Sequence, residues 1–280
     1  MPTDLASTAQ AAASVATGVQ TTAGLGWSDI VALVGAFAWL PHIWRYFQKP
    51  KTTPIAGGQV EIGFSTLGPL FNPKIAFRVE NRVALVTGIE FKLLHERGQC
   101  TTFRCSQLVE YGAQTESTSG EKAVHQRQQD VVALVLNPMS IVERKVNSRE
   151  LGCLARLETL NIDLGRAIDR TRRTDPAWID DLVRTGEYAA VAKLLEDSFV
   201  WQAGNYKVEC SVHVAGQPQP AKCKFQFVLG DGSATKLKEN LEIIRENFRL
   251  SYLPPDPANP QKPKDLNWFY AYVFVDDDQN

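Results

Sequence analysis

The sequence predicts a mainly β protein with helices: an antiparallel, two-sheet β-sandwich carrying a helical insertion and a C-terminal helix, preceded by an N-terminal membrane helix. Three observations predict it. Short segments between residues 60 and 230 alternate apolar and polar side chains with a period of two, as half-buried strands do. Residues 148–200 switch to helical spacing. Residues 26–48 are apolar or aromatic almost throughout, and at about 1.5 Å per residue they approach the thickness of a bilayer core.

Residues 1–25, MPTDLASTAQAAASVATGVQTTAGL, are small and polar, with Asp4 as the one charge. They offer too little apolar surface to offset the entropy of ordering, so a flexible tail is expected. No Lys or Arg precedes the apolar stretch, so the basic start of a secretory signal is lacking. In the following stretch, GWSDIVALVGAFAWLPHIWRYFQKPK, Ile30, Leu33, Val34, Phe37, Leu40 and Trp44 form one helical stripe. The opposite face, Val31, Ala32, Gly35, Ala36 and Ala38, is uncharged as well, and a helix apolar on all sides belongs inside protein or lipid. Trp27 and Trp44 stand near the two boundaries, where interfacial aromatics sit, and Arg45, Lys49 and Lys51 follow. The positive-inside rule then predicts a single-pass membrane protein with its N-terminus outside and everything after Arg45 in the cytoplasm. A helix ended by Pro41 would instead leave an interfacial anchor.

Residues 49–250 are expected to form the sandwich domain. KPKTTPIAGG reads as a breaker region, and strands are expected in VEIGFSTLG (60–68), KIAFRVEN (74–81), TGIEFKLLHERG (87–98) and CTTFRC (100–105). DVVALVLNP (130–138) is a continuous apolar run, as expected of a central strand covered on both faces. NYKVECSVHVAG (205–216) and AKCKFQFVLG (221–230) alternate cleanly, which places Cys210 and Cys223 on the apolar face of one hairpin as cross-strand neighbours. Short strands separated by turn signals in this way form a two-sheet sandwich pattern.

The helical insertion at 148–200 rests on three runs. Leu151, Leu154, Leu157 and Leu160 make the first; Asp175-Pro176 starts a second through Trp178, Ile179, Leu182 and Val183; Val191, Leu194, Leu195 and Phe199 make the third. Ser233 is the expected cap of a further helix with the stripe Leu237, Leu241, Ile244 and Phe248. Residues 251–280 begin with the Pro-rich PPDPANPQKP and end in NWFYAYVFVDDD, which reads as one more strand, paired with an edge of the same sandwich or added to a partner's sheet.

WQAGNYKVEC (201–210) resembles the start of the sixth strand of immunoglobulin-like domains, where a Gly-x-Tyr corner precedes the inward residues; Gly204 and Tyr206 match it. Cys210 lies four residues beyond the tyrosine instead of two, and KIAFRVEN offers no partner cysteine, so the intersheet disulfide and its tryptophan are not matched. The resemblance spans about residues 55–230 without the helical insertion. It implies a fold and a structural role for Gly204 and Tyr206, and it transfers no activity.

A net charge of −1 removes any global attraction to nucleic acid or to an anionic surface. Five scattered cysteines in a chain of 280 residues point to reduced thiols. His95, Cys100, Cys105 and Cys153 lack the paired spacing of a zinc site, and LGDGSATKL lacks the endings of a phosphate loop. Arg166, Arg170, Arg172 and Arg173 are interleaved with Asp163, Asp169 and Asp175, as on a solvated helix end, so a nucleic-acid partner is not expected. No catalytic, cofactor-binding or metal-ligating set stands out. The expected function is a non-enzymatic membrane-anchored protein whose cytoplasmic β-sandwich binds another protein. One alternative is a membrane effector whose N-terminal helices homo-oligomerise through Gly35, Ala36 and Ala38 and perturb the bilayer when the soluble domain senses a trigger. A further alternative is an enzyme of unknown chemistry.

Overall fold

The computed structural model describes Trp39, Trp44 and residues 48–116, 122–130, 134–173, 177–253 and 262–275, with backbone alone at 111–116 and 122–130. It divides into two units, Met1–Gln48 and Lys49–Asn280. The predicted tail and most of the predicted membrane helix lie outside the described residues. Among the described residues no helix is long and apolar enough to cross a membrane.

The second unit is mainly β, antiparallel, with helices. Its strands are β1 (Lys51–Ser65), β2 (Gly68–Glu80), β3 (Ala84–His95), β4 (Cys100–Glu116), β5 (Lys122–Asp130), β6 (Leu134–Leu136), β7 (Ile141–Glu150), β8 (Gly204–Val214), β9 (Ala221–Leu229), β10 (Trp268–Tyr272) and β11 (Phe274–Val275). Its helices are α1 (Leu151–Thr171), α2 (Trp178–Val183), α3 (Gly186–Asp197) and α4 (Asp231–Tyr252). The strands follow one hydrogen-bonded path, β10-β1-β2-β7-β4-β3-β8-β9-β11, with β5 on β4 and β6 on β3.

The two ends of that path are drawn together by the C-terminal segment. β10 pairs with β1 from Gln59↔Tyr272 to Gly63↔Trp268, and after Val273 the same segment pairs with β9 at Phe274↔Gln226 and Val275↔Phe225. Val273 N–H donates to the Gly58 carbonyl at 3.0 Å, where β1 bulges and Gly58 takes a positive φ of 71° that suits glycine. The sheet is thereby rolled into a nearly closed barrel. Phe71 of β2 lies 5.5 Å from Phe91 of β3, 5.6 Å from Phe103 of β4, and 6.4 and 5.8 Å from Phe225 and Phe227 of β9. Rings from strands far apart in the sheet order meet because the sheet encloses them.

The register puts Ser65, Gly68, His95, Cys100, Glu150, Gly204 and Leu229 at one end of the barrel, and all four helices leave from or return to that end. The chain enters at the other, where Pro50 carbonyl accepts from Gln217 of the β8–β9 turn. α1 starts on Glu150, whose carboxylate accepts from the N–H groups of Gly152 (2.9 Å) and Cys153. An apolar cap cluster of Leu164, Ala167, Trp178, Ile179 and Leu182 joins the helices to one another.

Several expectations change. The strands form one rolled sheet where two sheets are expected; an antiparallel β-rich fold is shown, and an immunoglobulin-like sandwich is only loosely consistent with it. KPKTTPIAGG is mostly the first half of β1, since Thr52, Pro54 and Ala56 point inward and alternation persists through the proline. Within DVVALVLNP, residues 131–133 lie outside the described residues, and the rest is a three-residue strand on β3 with Val135 exposed, so it is not covered on both faces. β5 and β7 are additional: their polar side chains carry no clear apolar alternation, and IVERKVNSRE is held by pairing with β2 and β4 on either side. The helical insertion starts at Leu151, three residues after the expected bound, and ends at Asp197. Asp175-Pro176 lies outside the described residues. α4 begins two residues before Ser233, on Gly230 as cap, with Ser233 N–H donating to Gly230 carbonyl inside the first turn.

Candidate functional site

Of the residues singled out for membrane attachment, Trp27, Ile30, Leu33, Val34, Phe37, Leu40 and Arg45 lie outside the described residues. Trp44 is helical and exposed, and its carbonyl accepts from Gln48 N–H at 3.1 Å. Lys49 is exposed, and Lys51 is the first residue of β1, 3.9 Å from Glu80.

Gly204 and Tyr206 come together with His95 at the capped end of the barrel. Gly204 has φ 138°, and a Cβ there would stand 2.6 Å from Glu96 Oε1 and 2.7 Å from His95 Nε2, so no side chain fits. His95 Nδ1 accepts from Arg97 N–H at 3.3 Å, which leaves the proton on Nε2 to donate to Ala203 carbonyl at 3.2 Å. Tyr206 hydroxyl accepts from Gln202 N–H at 2.8 Å and donates to Gln202 carbonyl at 2.9 Å, four residues upstream, and its ring stacks on Phe227 at 4.8 Å. Glu96 accepts from Asn205 N–H and side chain, which hold its carboxyl below the usual range. Both ring nitrogens of His95, the Tyr206 hydroxyl and Glu96 Oε2 are engaged within the cluster, which fixes the corner.

Burial pushes the Tyr206 phenol up to about 12. The fold accepts only the neutral phenol, so its contribution is complete below the unfolded value near 10 and is lost as pH rises through 12. Stability should fall by about 2–3 kcal/mol across that window, and Tyr206→Phe should remove this part of the dependence while losing about 1–2 kcal/mol at pH 7 from the missing hydrogen bonds. Urea unfolding of both chains at pH 7, 10 and 11.5 checks this; parallel pH curves would show that Tyr206 is not the titrating group.

The cysteines are free. Cys210 and Cys223 are directly opposed on β8 and β9 and buried, as the alternation predicts; their sulfur contact and burial hold the Cys210 thiol protonated well above its ordinary range. Cys100 is exposed and Cys105 buried, on opposite faces of β4. Among the described residues no group of three or more His, Cys, Asp or Glu is placed to hold a metal ion. Arg166 pairs with Asp163 at 3.0 Å, Arg170 with Glu187 and Arg173 with Asp181, so three of the four arginines of the run are engaged in ion pairs.

An apolar concave site lies in the helical cap. α1 presents Asn161, Leu164, Gly165 and Ile168, α3 presents Tyr188, Val191, Ala192 and Leu195, and α4 presents Leu241, Ile244, Phe248 and Tyr252 at spacings of three and four, together with the polar Arg245, Asn247 and Ser251. With Thr66 and Leu67 of the β1–β2 turn they wall a groove of about 490 Å³. Burial among these walls raises the Tyr188 phenol. Arg170–Glu187 ties α1 to α3, Arg245–Glu196 ties α3 to α4, and Arg249–Asp180 ties α2 to α4, so the walls are held apart at fixed spacing. The stripes of α3 and α4 are legible in the sequence, but Leu164, Ile168 and Tyr188 go unremarked there. The available signal is Gly165 and Ala192, small residues on apolar stripes that leave space where larger ones would close it.

No family model matches the chain, and none of the curated proteins compared with it is a match. A late embryogenesis abundant protein known from its solution structure is similar over 73% of this chain and 86% of its own, at 9% identity and a TM-score of 0.23, too low to establish a common fold.

Proposed function

We propose that this chain is a non-enzymatic binding module: a rolled β-sheet of immunoglobulin-like corner geometry that carries a ligand groove in its helical cap and is attached to a membrane by residues 26–48, with the barrel on the cytoplasmic side. The observation that carries the reading is the groove itself. It is concave, mostly apolar, and of a volume within the about 300–1,000 Å³ usual for small-molecule sites, with Thr66, Asn161, Arg245, Asn247 and Ser251 as the polar part of its lining. The carboxylates near it are engaged with arginines, which leaves binding as the chemistry its walls support.

The attachment is supported by the apolar run from Leu25 to Phe47 and the basic residues that follow it. The full chain should sediment with membranes, resist 1 M salt and alkaline carbonate, and be released by detergent. A chain lacking residues 1–48 should remain in the supernatant. Recovery of the full chain in the soluble fraction without detergent rules out the attachment.

A further inference from the structure

The walls of the groove select among ligands. Along α4 the lining runs from Leu241 to Tyr252, about 17 Å at the helical rise, beside a volume of about 490 Å³. That is room for one extended alkyl chain. The guanidiniums nearest it are already matched: Arg245 holds Glu196 and Glu242, Arg249 holds Asp180, and Arg170 holds Glu187. An ionised headgroup would have to break one of these pairs and strand its carboxylate. The side chains of Thr66 and Asn161, by contrast, are neutral, line the groove, and make no hydrogen bond to another described residue.

From this we infer that the groove binds one uncharged single-chain lipid of the monoacylglycerol type, its chain lying along α4 and its hydroxyls meeting the neutral polar groups of the wall. The inference rests on the binding-module reading and names the ligand of that same groove. Charge matching decides against fatty acids, which share the apolar chain and differ in the carboxylate.

Gly165 supplies the test. It lines the groove from α1, and a Cβ built on it meets nothing within 4 Å, so a side chain can start there and Gly165→Phe is the variant that occupies the groove. Radiolabelled 1-oleoylglycerol is titrated into the full chain held in an amphipathic polymer. The wild type should bind one equivalent saturably, Gly165→Phe should bind at least tenfold more weakly with an unchanged or higher melting temperature, and oleate at pH 8 should bind the wild type at least tenfold more weakly. Equal binding by wild type and variant, oleate binding as tight as the neutral lipid, or no saturable binding each overturns the inference. If Gly165→Phe melts lower, Ala192→Leu fills the groove from α3 and takes its place. Membrane sedimentation of the same chains separates the two readings: lost lipid binding with intact sedimentation refutes the ligand alone, and intact lipid binding by a soluble chain refutes the attachment alone.

Discussion

Replacing Trp201 by alanine should cost about 5 kcal/mol of stability, since truncating a buried Trp costs about 3–5 kcal/mol and stranding its acceptor adds about 1–3. Trp201 is 2% exposed, stacks on Phe103 at 5.6 Å, meets Tyr206 edge-on at 6.0 Å, and lies 6.5 Å from Phe71. Its indole N–H donates to Gly63 carbonyl of β1 at 2.8 Å. One side chain thus fills the mouth of the barrel and satisfies a backbone acceptor on the strand that the C-terminal segment closes against. The melting temperature should fall by about 10–20 °C, at about 2–4 °C per kcal/mol for a unit of this size. Trp201→Phe keeps the stacking and loses the hydrogen bond, so it should cost only about 1–2 kcal/mol. Urea and thermal unfolding of the three chains decide the matter. A loss below about 2 kcal/mol for the alanine variant would mean that the mouth repacks around the vacancy.

Ending the chain after Pro263 should be comparably damaging and should also change how the protein fails. The deletion removes buried Ala271 and the partly buried Leu266, Phe269 and Val273. It also strips Asn240, wholly buried on α4, of its bonds with Asn267, an acceptor at 2.9 Å and a donor at 2.8 Å; its remaining bond is to Phe64 carbonyl. A loss of about 4–6 kcal/mol follows from the apolar area and the orphaned amide. Both β1 and β9 then present open edges, and open edges pair with other chains. Size-exclusion chromatography should show oligomers and precipitation on warming, whereas Tyr272→Ser, at a position 68% exposed, should elute and melt as the wild type does. A monodisperse truncated chain with a wild-type melting temperature would sink the closing role.

What the sequence discloses follows from how local each feature is. β8 and β9 alternate without interruption, so Tyr206, Val208 and Cys210, and Cys223, Phe225 and Phe227, are assigned to the core from period alone, and Cys210 meets Cys223 as read. The helical insertion is legible because the 3.6-residue period replaces the period of two. β7 is not, because its residues are held by neighbours on both sides and its polar side chains find partners across strands: Lys145 reaches Glu61 at 2.7 Å and Arg144 reaches Glu110 at 2.8 Å. The first half of β1 is obscured by Pro54 and by Gly57-Gly58, which mark a strand crossing a bulge and look in sequence like a break. The single rolled sheet depends on Trp268–Val275 bonding two strands more than 40 residues distant, which no local pattern encodes. The groove is less legible still: each stripe reads as core-facing, and only the meeting of three helices leaves space between them.

The chain enters the barrel at Pro50, and the groove opens beyond the Ser65–Gly68 turn, with the length of β1 between them. At about 3.3 Å per residue and the usual tilt of barrel strands, that separation is about 35–45 Å. Electrostatic influence fades over about 8 Å in physiological salt. A charge beside Pro50 therefore contributes no field at the groove, and the charge preference of the site is set by its own arginine–carboxylate pairs.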